Sequence, residues 1–216
     1  MSKLRVHCFS VSLDGYSAAP HQDRNNPIGV GGLPIFGWQF ATRTHQQMHG
    51  NNEDGATGFD DDMVARGFDN IGAWIIGRNM FGPIRGPWLD DEWKGWWGEN
   101  PVYHCPVFVL THHPRPSITM KGGTTFHFVT DGIHAAYDRA FEAAKEKDVR
   151  LGGGVSTMKQ YLRAGLVDDM HFVISPALIG SGERLFPDLN LPDLGYEIKD
   201  HTTSPGATHV KIGKRI

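Results

Sequence analysis

Three places in the 216-residue sequence set side by side residue types that could hold an anion or handle a proton. Val149-Arg150-Leu151 reads as the end of a buried strand. Gly152-Gly153-Gly154 follows, and Val155, Met158, Tyr161 and Leu162 then recur at helical spacing. A strand, a glycine run and a helix in that order bring the backbone N–H groups of Gly152, Gly153, Gly154, Val155, Ser156 and Thr157 to the positive end of a helix. Side-chain-free residues there let a phosphate come close. The plain alternative is a tight turn. The G-x-G-x-x-G spacing is absent, and Asp168 and Asp169 precede the next strand instead of ending it, so this is not the Rossmann fingerprint.

The second place is Gly77-Arg78, where the apolar run Ala73-Trp74-Ile75-Ile76 delivers a guanidinium to the start of a short helix, Asn79-Met80-Phe81. That corner also suits an anion; a surface arginine after a turn is the competing reading. The third is Asp14, in the Asp-Gly turn Ser12-Leu13-Asp14-Gly15-Tyr16 at the end of the first strand. Its carboxylate could face a cleft, or it could only organise its own turn. Two histidine groups invite a metal reading and neither carries it. His45 and His49 share a helix face with no HExxH glutamate between them, and they fit a helix C-terminus ending at Gly50-Asn51-Asn52. His104, Cys105, His112 and His113 match no familiar ligand spacing, so no metal is expected.

The elements that position these residues follow in order. Leu4 to Ser12 alternates as a strand, and residues 19 to 34, rich in Pro, Gly and Asn or Asp, form a loop expected to be mobile. Phe36 leads into a helix to about Met48, and Phe59 to Gly67 is a short helix opening on Asp60, Asp61 and Asp62. Strands are expected at 73–76, 107–110, 125–129 and 170–174. Between them, Ile133, Ala136, Tyr137, Ala140, Phe141 and Ala144 give one apolar helix face. Gly195 to Ile216 alternates around Ser204-Pro205-Gly206 as an antiparallel hairpin. The segment 82–106, with Trp88, Trp93, Trp96 and Trp97, fits a lid, a subunit contact or a loop held down by its own rings. Repeated strand–helix–strand units with a terminal hairpin make an α/β fold, and no linker divides residues 1–216, so one domain is expected.

Composition narrows the function classes. Hydrophobic residues at 39%, charged residues at 21% and a net charge of −3 give no broad attraction to nucleic acid or acidic membranes. No run approaches a membrane span. The two cysteines, Cys8 and Cys105, fall in apolar runs and are expected reduced and buried, favouring a cytoplasmic location.

Five stretches taken together carry a resemblance. Ser12-Leu13-Asp14-Gly15-Tyr16, Ile76-Gly77-Arg78-Asn79-Met80-Phe81, Gly152-Gly153-Gly154, Gly165-Leu166-Val167-Asp168-Asp169 and Leu178-Ile179-Gly180-Ser181-Gly182-Glu183-Arg184-Leu185-Phe186 stand in an order that spans nearly the whole chain. That order resembles the dihydrofolate-reductase-like family, which includes the reductase domain of the bacterial riboflavin-biosynthesis protein. The resemblance implies a mixed, mostly parallel sheet of about eight strands flanked by helices, with NADPH across the strand ends. Gly77 and Arg78 would then meet the adenosine-side phosphates, with Arg78 on the 2′-phosphate. Asn79 and Met80 would lie beside the pyrophosphate, Thr111 and His112 near the adenine ribose, and Ala18 along the nicotinamide. It also implies a homodimer.

The sequence departs from that pattern in two ways. No acidic residue lies between Phe36 and Met48, which argues against folate as the substrate, and Met80 stands where the family usually has Thr. The expected function is an NADPH-dependent reductase passing hydride to a small heterocyclic or carbonyl substrate. Asp14 would handle the proton or orient the substrate, and Trp38 and Phe40 would wall the substrate side. The alternative is a non-catalytic binder of a nucleotide or planar ligand on the same fold. A flavin or deazaflavin enzyme is a third reading, which no sequence feature requires.

Overall fold

The computed structural model describes residues 1–51, 55–82, 85–88 and 92–215. Asn52, parts of the tryptophan-rich segment and Ile216 lie outside the described residues. The elements in chain order are β1 (Leu4–Ser12), β2 (Tyr16–Ala18), α1 (Gly37–Phe40) after a 3-10 turn at Leu33–Phe36, α2 (Arg43–Met48), α3 (Phe59–Arg66), β3 (Ile71–Gly77) and α4 (Arg78–Phe81). They continue with β4 (Pro106–Leu110), β5 (Ile118–Thr119), β6 (Thr125–Val129), α5 (Gly132–Ala144), β7 (Asp148–Gly153) and α6 (Val155–Arg163). β8 (Asp169–Ser175), β9 (Glu183–Arg184), β10 (Tyr196–Thr203) and β11 (Thr208–Lys214) complete the chain.

Nine strands form one mixed sheet in the order β10-β11-β8-β1-β7-β3-β4-β6-β5, and β2 and β9 pair separately as a two-stranded ribbon. The β7-β3-β4-β6 run is parallel, while β10, β11 and β8 pair antiparallel. The fold class is as expected, with one strand more. By internal contacts the chain forms two compact units, residues 1–5, 23–27 and 70–167 in the first and 6–22, 28–69 and 168–216 in the second.

In the first unit, the parallel strands are near-continuous apolar runs, because helices cover them. Ala73 to Ile76 are buried, as are Val107 to Val109. Against them packs α5, whose buried residues Ala136, Ala140 and Ala144 form a small-residue stripe that lets helix and sheet approach closely. Tyr161 of α6 donates its hydroxyl to Ile133 O at 2.8 Å, fastening the start of α5. Among the described residues of 82–106, three tryptophans anchor to their surroundings. Trp93 Nε1 donates to Phe81 O at 3.0 Å, Trp88 Nε1 to His113 O at 2.9 Å, and Trp97 stacks on Phe126.

In the second unit, Trp38, Val64, Val173, Ala207 and Cys8 form a core cluster. The expected helix from Phe36 to Met48 is broken. Thr42 turns extended at ψ 148°, accepts from His45 N with its hydroxyl, and so caps α2 as a new helix. Alternation in β1 also fails beyond Cys8, whose φ of 55° lies in the left-handed region, and Phe9 to Ser12 are all buried. Residues 19–34 carry little regular structure yet are tied down, with Ala19 N donating to Ile28 O at 2.8 Å and Val30 N to Pro20 O at 2.9 Å. In the expected hairpin Tyr196 is buried but Ile198 is exposed; a register shift follows it in β10, which ends the sheet order. Cys8 and Cys105 are both free, Cys8 buried, and Cys105 half-buried one residue before β4.

Candidate active site

In the first unit the two anion-suited corners come together. β3 and β7 are parallel neighbours with Ile76 opposite Gly153, so Arg78 and Gly154 leave adjacent strand ends on the same side. A Cβ on Gly77 would fall 2.4 Å from Thr157 Oγ1 and 3.3 Å from Gly154 N, so only glycine lets the first turn of α6 close on β3. Gly153 holds φ at 130°, a conformation open to glycine, and its peptide to Gly154 is cis. A Cβ on Gly154 would meet nothing within 4 Å, which leaves the approach to the helix start clear. Among the described residues no side chain caps α6. The first-turn N–H groups of Val155, Ser156 and Thr157 have no intrahelical acceptor, so they and the helix dipole favour an anion.

Arg78 opens α4 with its guanidinium 3.3 Å from the centre of the Trp88 ring, and its Nη1 donates to Gly86 O at 3.0 Å. Among the described residues its buried Nε has no hydrogen-bond partner. Burial and the nearby Arg115 both hold its pKa below the ordinary value. A second cation and an orphaned donor make this corner receptive to a phosphate. Arg115, 4.9 Å from the Trp88 ring centre, belongs to the same corner, and no sequence pattern near it signals this. Met80 lies over Gly152, with Cε 3.2 Å from where a Cβ would stand, and Asn79 is half-buried beside it. Thr111 follows β4, but its hydroxyl is engaged locally, accepting from His113 N at 3.1 Å. His112 is exposed.

The remaining candidates lie in the second unit. Asp14 is a brace. Its carboxylate accepts from Ser12 Oγ at 2.6 Å, Gly180 N at 2.7 Å and Ile179 N at 3.2 Å, while Arg184 donates to its backbone oxygen at 3.1 Å. The Ser12 hydroxyl and the two amides hold its pKa down at about 2. Such a carboxylate carries no proton to give near neutrality. Its bonds tie the turn after β1 to the segment before β9, and Ala18 is buried in the ribbon that follows. Trp38 is buried, donates Nε1 to Ser10 Oγ at 3.0 Å, and lines a cavity of about 500 Å³. Phe40 does not line that cavity; it packs on Phe36 and His45.

Among the described residues, the His, Cys and acidic side chains close enough in threes to hold a metal are His7, Cys8 and His171, not either histidine group singled out from the sequence. His7 Nε2 already sits 2.7 Å from Met63 O. Sequence reasoning also missed a buried chain, Asp60–His209–His171, because its members are 149 and 38 residues apart.

The model of the RibD C-terminal domain family matches residues 6–210. The chain belongs to that family. It is a family of reductase type. No curated protein sequence matches the chain at a significant level. Solved structures share the fold at low identity. A protein ascribed to riboflavin biosynthesis from Shewanella sp. PV-4 aligns over 100% of both chains with TM-score 0.59 and 17% identity. A pyrimidine reductase-like protein from Corynebacterium diphtheriae aligns over 100% of this chain and 92% of its own, with TM-score 0.53 and 14% identity. Dihydrofolate reductase from Enterococcus faecalis, complexed with NADP(H), aligns over 98% and 96%, with TM-score 0.52 and 13% identity. Among the described residues no helix is long and apolar enough to cross a membrane.

Proposed function

We propose that this RibD C-terminal domain protein is a cytoplasmic, homodimeric reductase, one domain over residues 1–216, that uses NADPH to reduce a small heterocyclic or carbonyl substrate. The observation that carries the reading is the adjacency of the glycine-lined helix start and the arginine corner at the ends of neighbouring parallel strands. The open face at Gly154 and the unpartnered Nε of Arg78 fit a dinucleotide's phosphates. A fold neighbour is described as a complex with NADP(H).

NADPH, when bound, supplies the hydride. The amides of Gly152 to Thr157 would hold the pyrophosphate, with Asn79 and Met80 beside it. Arg78, with Gly77 giving clearance, would take the adenosine 2′-phosphate, and Thr111 and His112 would border the ribose. Ala18 would flank the nicotinamide. Asp14 acts as a positioning residue that holds the turn carrying it, and a proton reaches the product from solvent or substrate instead of from this carboxyl. Trp38 walls the substrate side and Phe40 supports α1 behind it.

Two readouts on the purified chain test the reading. Titration should show saturable NADPH binding, and a panel of heterocyclic and carbonyl compounds should include one that drives loss of the nicotinamide absorbance. Tight NADPH binding with no turnover across the panel would instead favour a nucleotide-binding protein. A purified protein coloured by flavin, with no NADPH binding, would contradict the proposal.

A further inference from the structure

The cavity beside Trp38 lies wholly within the second unit and is walled by Trp38 and Phe59, with Ser175, Ser204 and Thr42 among its polar neighbours. Among the described residues lining it, only Asp60 is ionisable. The carboxylate is held from behind. Cys8 N donates to His171 Nδ1 at 3.3 Å, and an amide N–H can only donate, so His171 carries its proton on Nε2. That N–H points to His209 Nδ1 at 3.0 Å, which leaves the His209 proton on Nε2, 2.8 Å from Asp60 Oδ1. Both imidazoles are buried, at 3% and 1% exposure. Burial keeps His209 below its ordinary pKa against the pull of Asp60, so the ring stays neutral near neutrality.

Asp60 is therefore oriented by a hydrogen-bonded chain that does not cancel its charge. Oδ1 is used and Oδ2 accepts no hydrogen bond among the described residues, while 19% of the side chain remains exposed. Asp61 and Asp62 stand beside Asp60 in the first turn of α3, so the helix dipole is complemented without Asp60 as well. A lone carboxylate oxygen in an aromatic-walled cavity of ligand size has the character of a receptor for a cation with a flat body.

We propose that this cavity binds a small organic cation, an amidine or primary amine on an aromatic or apolar body, with Asp60 Oδ2 as its counter-ion and Trp38 and Phe59 as its walls. The site stands on the second unit alone and does not depend on the reductase reading. Its test uses the full chain without any nicotinamide nucleotide, so failure here leaves the reductase reading where it was.

The probes are benzamidine and its neutral isostere benzamide, titrated by calorimetry and by tryptophan fluorescence. Benzamidine should saturate at millimolar concentrations or below and bind at least tenfold more tightly than benzamide. Asp60→Asn, which keeps an acceptor for His209, should weaken benzamidine at least tenfold and abolish the difference between the probes. Equal affinity for the two probes in the wild type, or no saturable binding of benzamidine, would overturn the proposal whether or not the variant folds. Undiminished benzamidine binding by a folded Asp60→Asn would do the same.

Discussion

Arg78 is the residue on which cofactor choice turns. Its guanidinium sits over the Trp88 ring and spends one donor on Gly86 O, which among the described residues leaves the buried Nε and the second terminal nitrogen for a ligand. A charge-assisted hydrogen bond is worth about 1.5–3 kcal/mol, or roughly tenfold and upward in affinity. Arg78→Ala should therefore weaken NADPH by at least about tenfold while leaving NADH much less affected. Parallel titrations of the two nucleotides read this directly, and equal losses would remove Arg78 from the 2′-phosphate. Asp14 makes the opposite kind of prediction. Because its folded-state pKa of about 2 lies below the ordinary 3.8, its contribution to stability is complete above the ordinary value and fades as pH falls toward 2. Asp14→Asn should lower denaturant stability near neutrality, with the gap to wild type narrowing on acidification below about pH 4, and should leave NADPH affinity unchanged. A variant as stable as wild type at neutral pH would show that the brace holds nothing.

At the level of elements, α2 carries a pH-dependent term. His45 is wedged between Phe40 and His49, and burial, followed by the charge on His49, pushes its pKa from 6.5 down to about 4. A histidine that stays neutral when folded but protonates when unfolded costs stability as pH drops through the interval between the two values. The melting temperature of wild type should fall between pH 6.5 and about 4 more steeply than that of His45→Gln. Identical slopes would place the acid sensitivity elsewhere. Elements with a strong local period were readable in advance. The strand at 125–129 and the helix starting at Val155 are where apolar spacing put them. The break between α1 and α2 was not, since it depends on Thr42 forming a cap and a bridge to Ala56, a distant residue. The β2–β9 ribbon was missed for a similar reason, because Tyr16 meets Arg184 only in the fold.

For the whole molecule, fold class, family and the pairing of the two anion-suited corners were legible, because each rests on glycines and apolar runs that have few other uses, whereas the order of the strands in the sheet was not. What surrounds them was not. Nothing in the sequence near Arg78 announces Trp88 under its guanidinium or Arg115 close to the same ring, and nothing near Asp60 announces His209. Side chains brought together over long sequence separations leave no spacing to read. Oligomeric state is a further property at this scale. The expected homodimer has about twice the 24.0 kDa chain mass by sedimentation equilibrium, and a monomer at micromolar concentration would contradict it.

The claim beneath all of this is that one dinucleotide joins the helix start at Gly154 to the guanidinium of Arg78. A crystal structure of the chain soaked with NADPH tests it most directly. The pyrophosphate should lie against the amides of residues 154–157 and the 2′-phosphate within hydrogen-bonding distance of Arg78. A nucleotide bound elsewhere, or none at saturating concentration, would contradict it.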